Sequence, residues 1–189
     1  SEWNGLAGDG KWTTAGNWTG GVPNSLGVKA RFGQIPTAPT SVTVNGPKLV
    51  SGIVFDNYNP YTVTGGAADN ITLDAGTSAG TIDVVNGNHT LSAPIALNSN
   101  LAVSVAPGWM FELDSNVSGA KDLSMSGQGT LVLGGTNSYG ATFVNDGTLQ
   151  VGNGATGGTL GQGAVTISAT GKLSLNRTDV ATIATNMTM

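Results

Sequence analysis

Cysteine is absent from this 189-residue chain, histidine occurs once and arginine twice. Without cysteine there is no disulfide framework and no thiolate metal site. With His89 alone, a centre built on several imidazoles is impossible, and a Ser-His-Asp triad has a single candidate base. Lys and Arg together number seven, they are scattered singly, and the formal net charge is −4. Nucleic acid requires a basic patch, so that class of partner is excluded. No apolar run approaches the roughly 20 residues of a membrane helix, and no basic amphipathic helix is visible. No Asp-rich nonapeptide or EF-hand loop is present to mark a calcium site, and no cofactor motif is found.

Charged residues make up only 10% of the chain, while Gly alone accounts for 30 positions. Average proteins carry about a quarter charged residues, so this surface is built from hydroxyls and amides instead. Such a composition also suits disordered chains. Here, however, Val, Ile, Leu and Phe alternate with polar residues from Val42 to Leu175, and that periodicity requires a buried face.

The alternation comes in short bursts about ten residues apart, separated by Gly, Asn, Asp or Pro. The bursts are Val42–Val44, Leu49–Phe55, Tyr61–Val63, Ile71–Leu73, Ile82–Val84, His89–Leu91, Ile95–Leu97, Leu101–Val105 and Trp109–Leu113. They continue as Leu123–Met125, Leu131–Leu133, Leu149–Val151, Val165–Ile167 and Leu173–Leu175. Period-two alternation rich in β-branched residues predicts strands throughout. The best helical candidate, 179–186, is rich in threonine and weak.

Two all-β architectures accommodate this pattern. A β-sandwich needs about seven strands with turns every 8–12 residues. A parallel β-helix, or β-solenoid, needs self-similar coils. The phrase Gly-Thr-Leu-x-(Val/Leu)-Gly occurs at Gly129–Gly134 and recurs at Gly147–Gly152. Leu131 and Leu173 are 42 residues apart, as are Leu123 and Val165, which two coils of about 20 residues would give. The β-solenoid, spanning 41–189, is therefore preferred, with the sandwich as the alternative.

Residues 1–40 differ from the rest. They hold Trp3, Trp12 and Trp18, three of the four tryptophans, with turns at Gly8–Trp12 and Gly20–Asn24 and little alternation. They read as an irregular, Trp-rich N-terminal cap over the open end of the stack. The start at Ser1 is expected of a mature product or a fragment, and the repeats are expected to continue past Met189.

The stretch Gly127-Gln-Gly-Thr-Leu-Val-Leu-Gly-Gly-Thr-Asn-Ser-Tyr-Gly-Ala-Thr-Phe-Val-Asn-Asp-Gly-Thr-Leu-Gln-Val-Gly152, continuing through Thr159–Ile167, resembles the autotransporter-associated β-strand repeat, also called the passenger-associated transport repeat. The family usually has one more residue after the tyrosine, where Tyr139 here runs directly into Gly140. The opening Trp12–Trp18, with Gly21–Asn24 and Phe32-Gly33, is similar to segments that precede such repeats in large bacterial surface proteins. The resemblance implies a right-handed parallel β-helix, exported and placed on or outside a bacterial cell. The lack of cysteine suits such a protein. The repeat does not imply one activity, because these stalks carry adhesins, enzymes and spacers alike.

Three functional expectations follow. The first is a non-catalytic extracellular structural segment: a surface stalk, an adhesin passenger segment or a subunit of a filament assembled through the solenoid ends. The second is a carbohydrate-binding module of a secreted polysaccharide-processing protein, with Trp12, Trp18, Trp109, Tyr58 and Tyr61 as a stacking platform for sugar rings. Trp12 and Trp18 fit equally well as cap core, and Trp109 as a core plug. The third, weighed and not adopted, is a β-helix lyase or hydrolase, for which Asp74 with Asp83 and Glu112 with Asp122 could form carboxylate pairs on adjacent coils but Arg31 and Arg177 are the only arginines. Most of these acids flank corner residues, where Asp commonly bonds its own backbone. The six Asn-x-Ser/Thr triplets, at Asn17, Asn70, Asn88, Asn116, Asn176 and Asn186, indicate corner asparagines more than glycosylation. His89 reads as part of a turn entering a strand.

Overall fold

The computed structural model describes residues 1–180, 183 and 186–189. Apart from one 3₁₀ turn at Ala15–Asn17, its regular elements are all strands. They stack as a β-solenoid of about seven turns built from three sheets of ten, seven and four strands among the described residues. Every pairing between successive coils is parallel. The single antiparallel pair joins Glu2–Trp3 to Trp18–Thr19 at the N-terminal end. A β-sandwich would need antiparallel sheets throughout, and it is excluded.

Each complete coil contributes one strand to each sheet. Leu101–Val105, Met110–Leu113 and Val117–Ser118 form one such coil. Alternate side chains of every strand point inward, and the parallel register stacks like positions into columns. One column runs Val42, Val63, Leu91, Leu113, Leu133, Val151, Leu175. Another runs Ala30, Ile53, Ile82, Val103, Met125, Val144, Ile167. All but the last member of each column are buried. Burying one such side chain contributes on the order of 1.5–3 kcal/mol, which makes these columns the main stabilising feature. The outward positions carry Thr62, Thr72, Thr90, Ser104, Ser124 and Ser126, giving a hydroxyl-covered exterior.

The coils are unequal. The offset between paired residues is 29 where Gly52 meets Thr81, 22 where Leu101 meets Leu123 and 19 where Leu123 meets Thr142. In the shortest coil the third sheet shrinks to an isolated bridge between Ser118 and Ser138. The 42-residue echoes are two-coil steps: Leu131 pairs with Leu149, and Leu149 with Leu173.

One apolar run breaks differently from its sequence pattern. Leu49–Phe55 is divided between strands Lys48–Val50 and Gly52–Asp56, in different sheets, with the corner at Ser51. Parallel stacking begins at Lys29–Phe32, inside the segment 1–40, because this strand pairs residue by residue with the next coil from Lys29 opposite Gly52 to Phe32 opposite Phe55. The helical candidate over 179–186 has four of its eight residues, 181, 182, 184 and 185, outside the described residues, and the other four are not helical. No helix among the described residues is long and apolar enough to cross a membrane.

Candidate functional site

The N-terminal cap closes the leading edge of all three sheets, each by a different device. On the first sheet, Glu2–Trp3 pairs beside Lys29–Phe32 and is itself covered by Trp18–Thr19. On the second, Lys11 bridges to Thr43. Trp12 N–H donates to the Thr43 carbonyl at 2.9 Å, and Thr43 N–H donates to Gly10 at 2.7 Å. On the third, Asn24 Oδ1 accepts from Leu49 N–H at 2.8 Å. An unpaired sheet edge recruits other strands, and these contacts remove that hazard.

Beneath the cap lies an aromatic plug. Trp18 packs against Trp3 at 5.1 Å and Trp12 at 5.0 Å between ring centres, and Phe32 stacks on Phe55 at 5.1 Å and 15°. Trp12 Nε1–H donates to the Pro23 carbonyl, Trp18 Nε1–H to the Trp12 carbonyl and Tyr61 O–H to the Gly33 carbonyl. These bonds let polar ring atoms lie inside at little penalty. Asn17, fully buried, organises the cap loop. Its Oδ1 accepts from Ala7 N–H, and its Nδ2 donates to Asp9 Oδ1 at 2.7 Å and to the Lys11 carbonyl at 3.0 Å.

The opposite end is built otherwise. The outermost strand of the second sheet, Gly171–Leu175, pairs with Gly147–Val151 on one side only among the described residues. Leu175 is 51% exposed although it continues the column that holds Leu133 and Val151. Leu173 and Ile167 are also only partly covered. Among the described residues no further strand pairs with the outer edge of Gly171–Leu175, and Ile183 packs partly buried against the core.

His89 sits within the aromatic column, stacked on Phe55 at 4.8 Å, and opens the strand His89–Leu91. Its Nδ1 accepts from Tyr61 N–H at 3.0 Å, and its Nε2 lies 2.7 Å from the Asn86 carbonyl, which fixes the neutral tautomer with the proton on Nε2. Desolvation holds its pKa below the ordinary histidine value. Both ring nitrogens are already engaged within the fold.

The carboxylates are engaged as well. Asp74 accepts from Gly76 N–H at 2.9 Å, which holds its pKa below the usual range, and Asp83 pairs with Lys29 at 3.7 Å. Glu112 accepts from Asn153, and Asp122 from Ala141 N–H at 2.8 Å. Asp56 is held by Arg31 and Asn86, with its pKa lowered chiefly by the Asn86 bond. A general acid needs a raised pKa, and neither Asp74 nor Asp56 has one. Among the described residues no group of three or more His, Asp or Glu is placed to hold a metal ion.

The five aromatics considered for sugar stacking separate into two sets. Trp12, Trp18 and Tyr61 are buried in the plug and present no face to solvent. Tyr58 is 65% exposed, Trp109 is half-buried beside it, and the two rings meet edge to face at 5.8 Å and 67°. Trp109 precedes its strand, which begins at Met110, and so is a corner residue and not a plug within a strand. Several asparagines bind the coils at corners: Asn88 Oδ1 accepts from Met110 N–H, Asn116 Oδ1 from Thr136 N–H and Asn137 Oδ1 from Val117 N–H.

Taken together, the fold is a parallel β-solenoid of about seven turns with a cap at its N-terminal end. Its particular repeat is then recognisable: the passenger-associated-transport-repeat family model matches residues 123–151. The match covers Leu123–Ser126, Thr130–Leu133, Thr142–Val144 and Gly147–Val151, the strands around the shortest coil. Within it Tyr139 is buried with its hydroxyl 3.0 Å from Thr142 Oγ1, and Gly140 N–H donates to the Lys121 carbonyl at 2.7 Å, so the turn after the tyrosine closes without an extra residue. No curated protein and no solved structure matches the chain.

Proposed function

We propose that this chain is a non-catalytic structural segment of a bacterial surface or secreted protein, a passenger-type stalk that begins at its Trp-rich cap. The repeat at 123–151 supports the passenger class and its export. The observation that carries the stalk reading is the difference between the ends. Residues 1–28 contact the leading strands of all three sheets, so the positions a further parallel coil would take there are already occupied, which favours a stalk over a head-to-tail filament. Head-to-tail filament growth needs two complementary open ends, and a heterologous contact of that kind is blocked on one side.

Sedimentation velocity over a wide concentration range, with small-angle scattering, tests this. Seven coils at about 4.8 Å each give a rod of roughly 35 Å before the cap is added. A monomeric particle of that size supports a stalk. Long fibres seen by electron microscopy would overturn it in favour of a filament subunit. Protease accessibility of the chain on intact cells that express it checks the surface placement.

A further inference from the structure

The exposed Tyr58–Trp109 pair is the feature that the structural role leaves unused. The two residues lie on corners two coils apart and meet only because the intervening coil carries the compact turn Gly87-Asn88 between them. Of the other large aromatics, Trp3, Trp12, Trp18, Tyr61, Tyr139, Phe32, Phe55 and Phe111 are buried, and Phe143 is 36% exposed. Trp109 packs one side against the core and leaves the rest of its surface at the corner, while Tyr58 is 65% exposed. Met110, which follows Trp109, and Val85, on the coil between Tyr58 and Trp109, are also exposed.

The polar groups around the pair are amides. Asn88 uses its Oδ1 to accept from Met110 N–H, and its Nδ2 makes no hydrogen bond among the described residues. The Trp109 indole N–H and the Tyr58 hydroxyl are likewise without a hydrogen-bond partner among the described residues. The corner segments 57–60, 85–88 and 106–110 hold no charged residue. Aromatic faces set at an angle, edged by neutral donors and free of charge, suit the flat C–H face of a pyranose ring with its equatorial hydroxyls directed at amides. The adjoining charges, Asp56 and Arg31, are paired with each other, with Asp56 also accepting from Asn86, so no unpaired cation faces the corner from these residues for an acidic sugar.

We infer that the Tyr58–Trp109 corner is a binding site for neutral, equatorially linked pyranose chains, with Trp109 and Tyr58 as stacking rings and Asn88 as a hydroxyl-directed amide. The site lies on the flank of the solenoid, clear of both ends, and goes beyond the structural role.

The probes are cellohexaose, mannohexaose and xylohexaose as neutral chains, with oligogalacturonate as the acidic control, measured by calorimetry and tryptophan fluorescence. Trp109 is the only tryptophan not sealed in the cap, so a neutral oligosaccharide should shift emission and protect one tryptophan from acrylamide. Trp109→Ala or Tyr58→Ala should each weaken binding about tenfold or more, with the circular-dichroism spectrum and melting temperature nearly unchanged. Asn88→Ala should weaken it less. If the variant melts early, the wild-type quenching experiment still decides. Absence of binding to all three neutral chains, binding that survives the double Tyr58/Trp109 alanine variant, or stronger binding of oligogalacturonate would each overturn the assignment. None of these outcomes bears on the oligomeric state, so the stalk reading stands or falls separately.

Discussion

The two ends of the solenoid solve the same problem in opposite ways. At the N-terminal end three tryptophans and a buried asparagine seal the columns, and short backbone pairings satisfy the edges. At the C-terminal end the same columns reach Leu173 and Leu175, which remain partly or half exposed, and the strand edge is free among the described residues. In a stacked array each unit is stabilised by its neighbours, so a unit with one neighbour is weaker than a unit with two. Stability should therefore decline from cap to outermost coil.

Substitutions at the two ends make that gradient measurable. The largest effect is expected at the cap. Trp12→Ala removes a fully buried indole from the plug and should lower unfolding free energy by about 3–5 kcal/mol in chemical denaturation. It should also make the protein prone to association, because the edge of Thr40–Val44 depends on the loop that Trp12 anchors. Next comes the short coil. Gly147 has φ of 72°, and a Cβ there would overlap the carbonyl of Gly127 one coil below. Gly147→Ala should cost roughly 2–5 kcal/mol, with the loss confined by hydrogen exchange to the later coils. Asn17→Ala should cost about 1–3 kcal/mol by leaving buried cap groups without partners. Leu175→Ala is expected to change stability by well under 1 kcal/mol, because its side chain is already half in water. Equal effects for Trp12→Ala and Leu175→Ala would remove the gradient.

The smallest effect concerns pH. Burial lowers the His89 pKa in the folded state, so between that lowered value and the ordinary 6.5 the unfolded chain binds the proton and the folded chain does not. Stability contributed by neutral His89 is present above 6.5 and is lost as pH falls through that window. Unfolding curves from pH 8 to 5 should show the decline, and His89→Gln should flatten it.

The strand pattern was readable because period-two alternation survives from coil to coil, and the 42-residue echoes expose the stacking register. Other features were hidden for identifiable reasons. Ser51 turns the chain between two sheets without Gly or Pro at the corner itself, so Leu49–Phe55 looks like one strand. Lys48 occupies an inward column position opposite Ile71, and it is tolerated because Nζ curls back to donate to the Asn45 and Gly46 carbonyls. No periodicity argument places a lysine there. Trp12, Trp18, Tyr58 and Trp109 all lie near turn residues, and composition does not separate a tryptophan that plugs the cap from one that faces solvent. The Tyr58–Trp109 contact depends on the lengths of the two coil steps that separate them, and such steps vary from 18 to 30 residues across the fold.

Because successive coils are joined by parallel ladders, the hydrogen bonds between them point along the stacking axis. Tension applied along that axis opposes those bonds one coil at a time instead of shearing many together. A coil of 22 residues, such as the step from Leu101 to Leu123, occupies about 4.8 Å of rod while folded and releases roughly 70 Å of slack chain when peeled. Pulled from its exposed terminus, the solenoid would yield in discrete steps, each lengthening the tether more than tenfold locally, while the tryptophan-sealed end holds last.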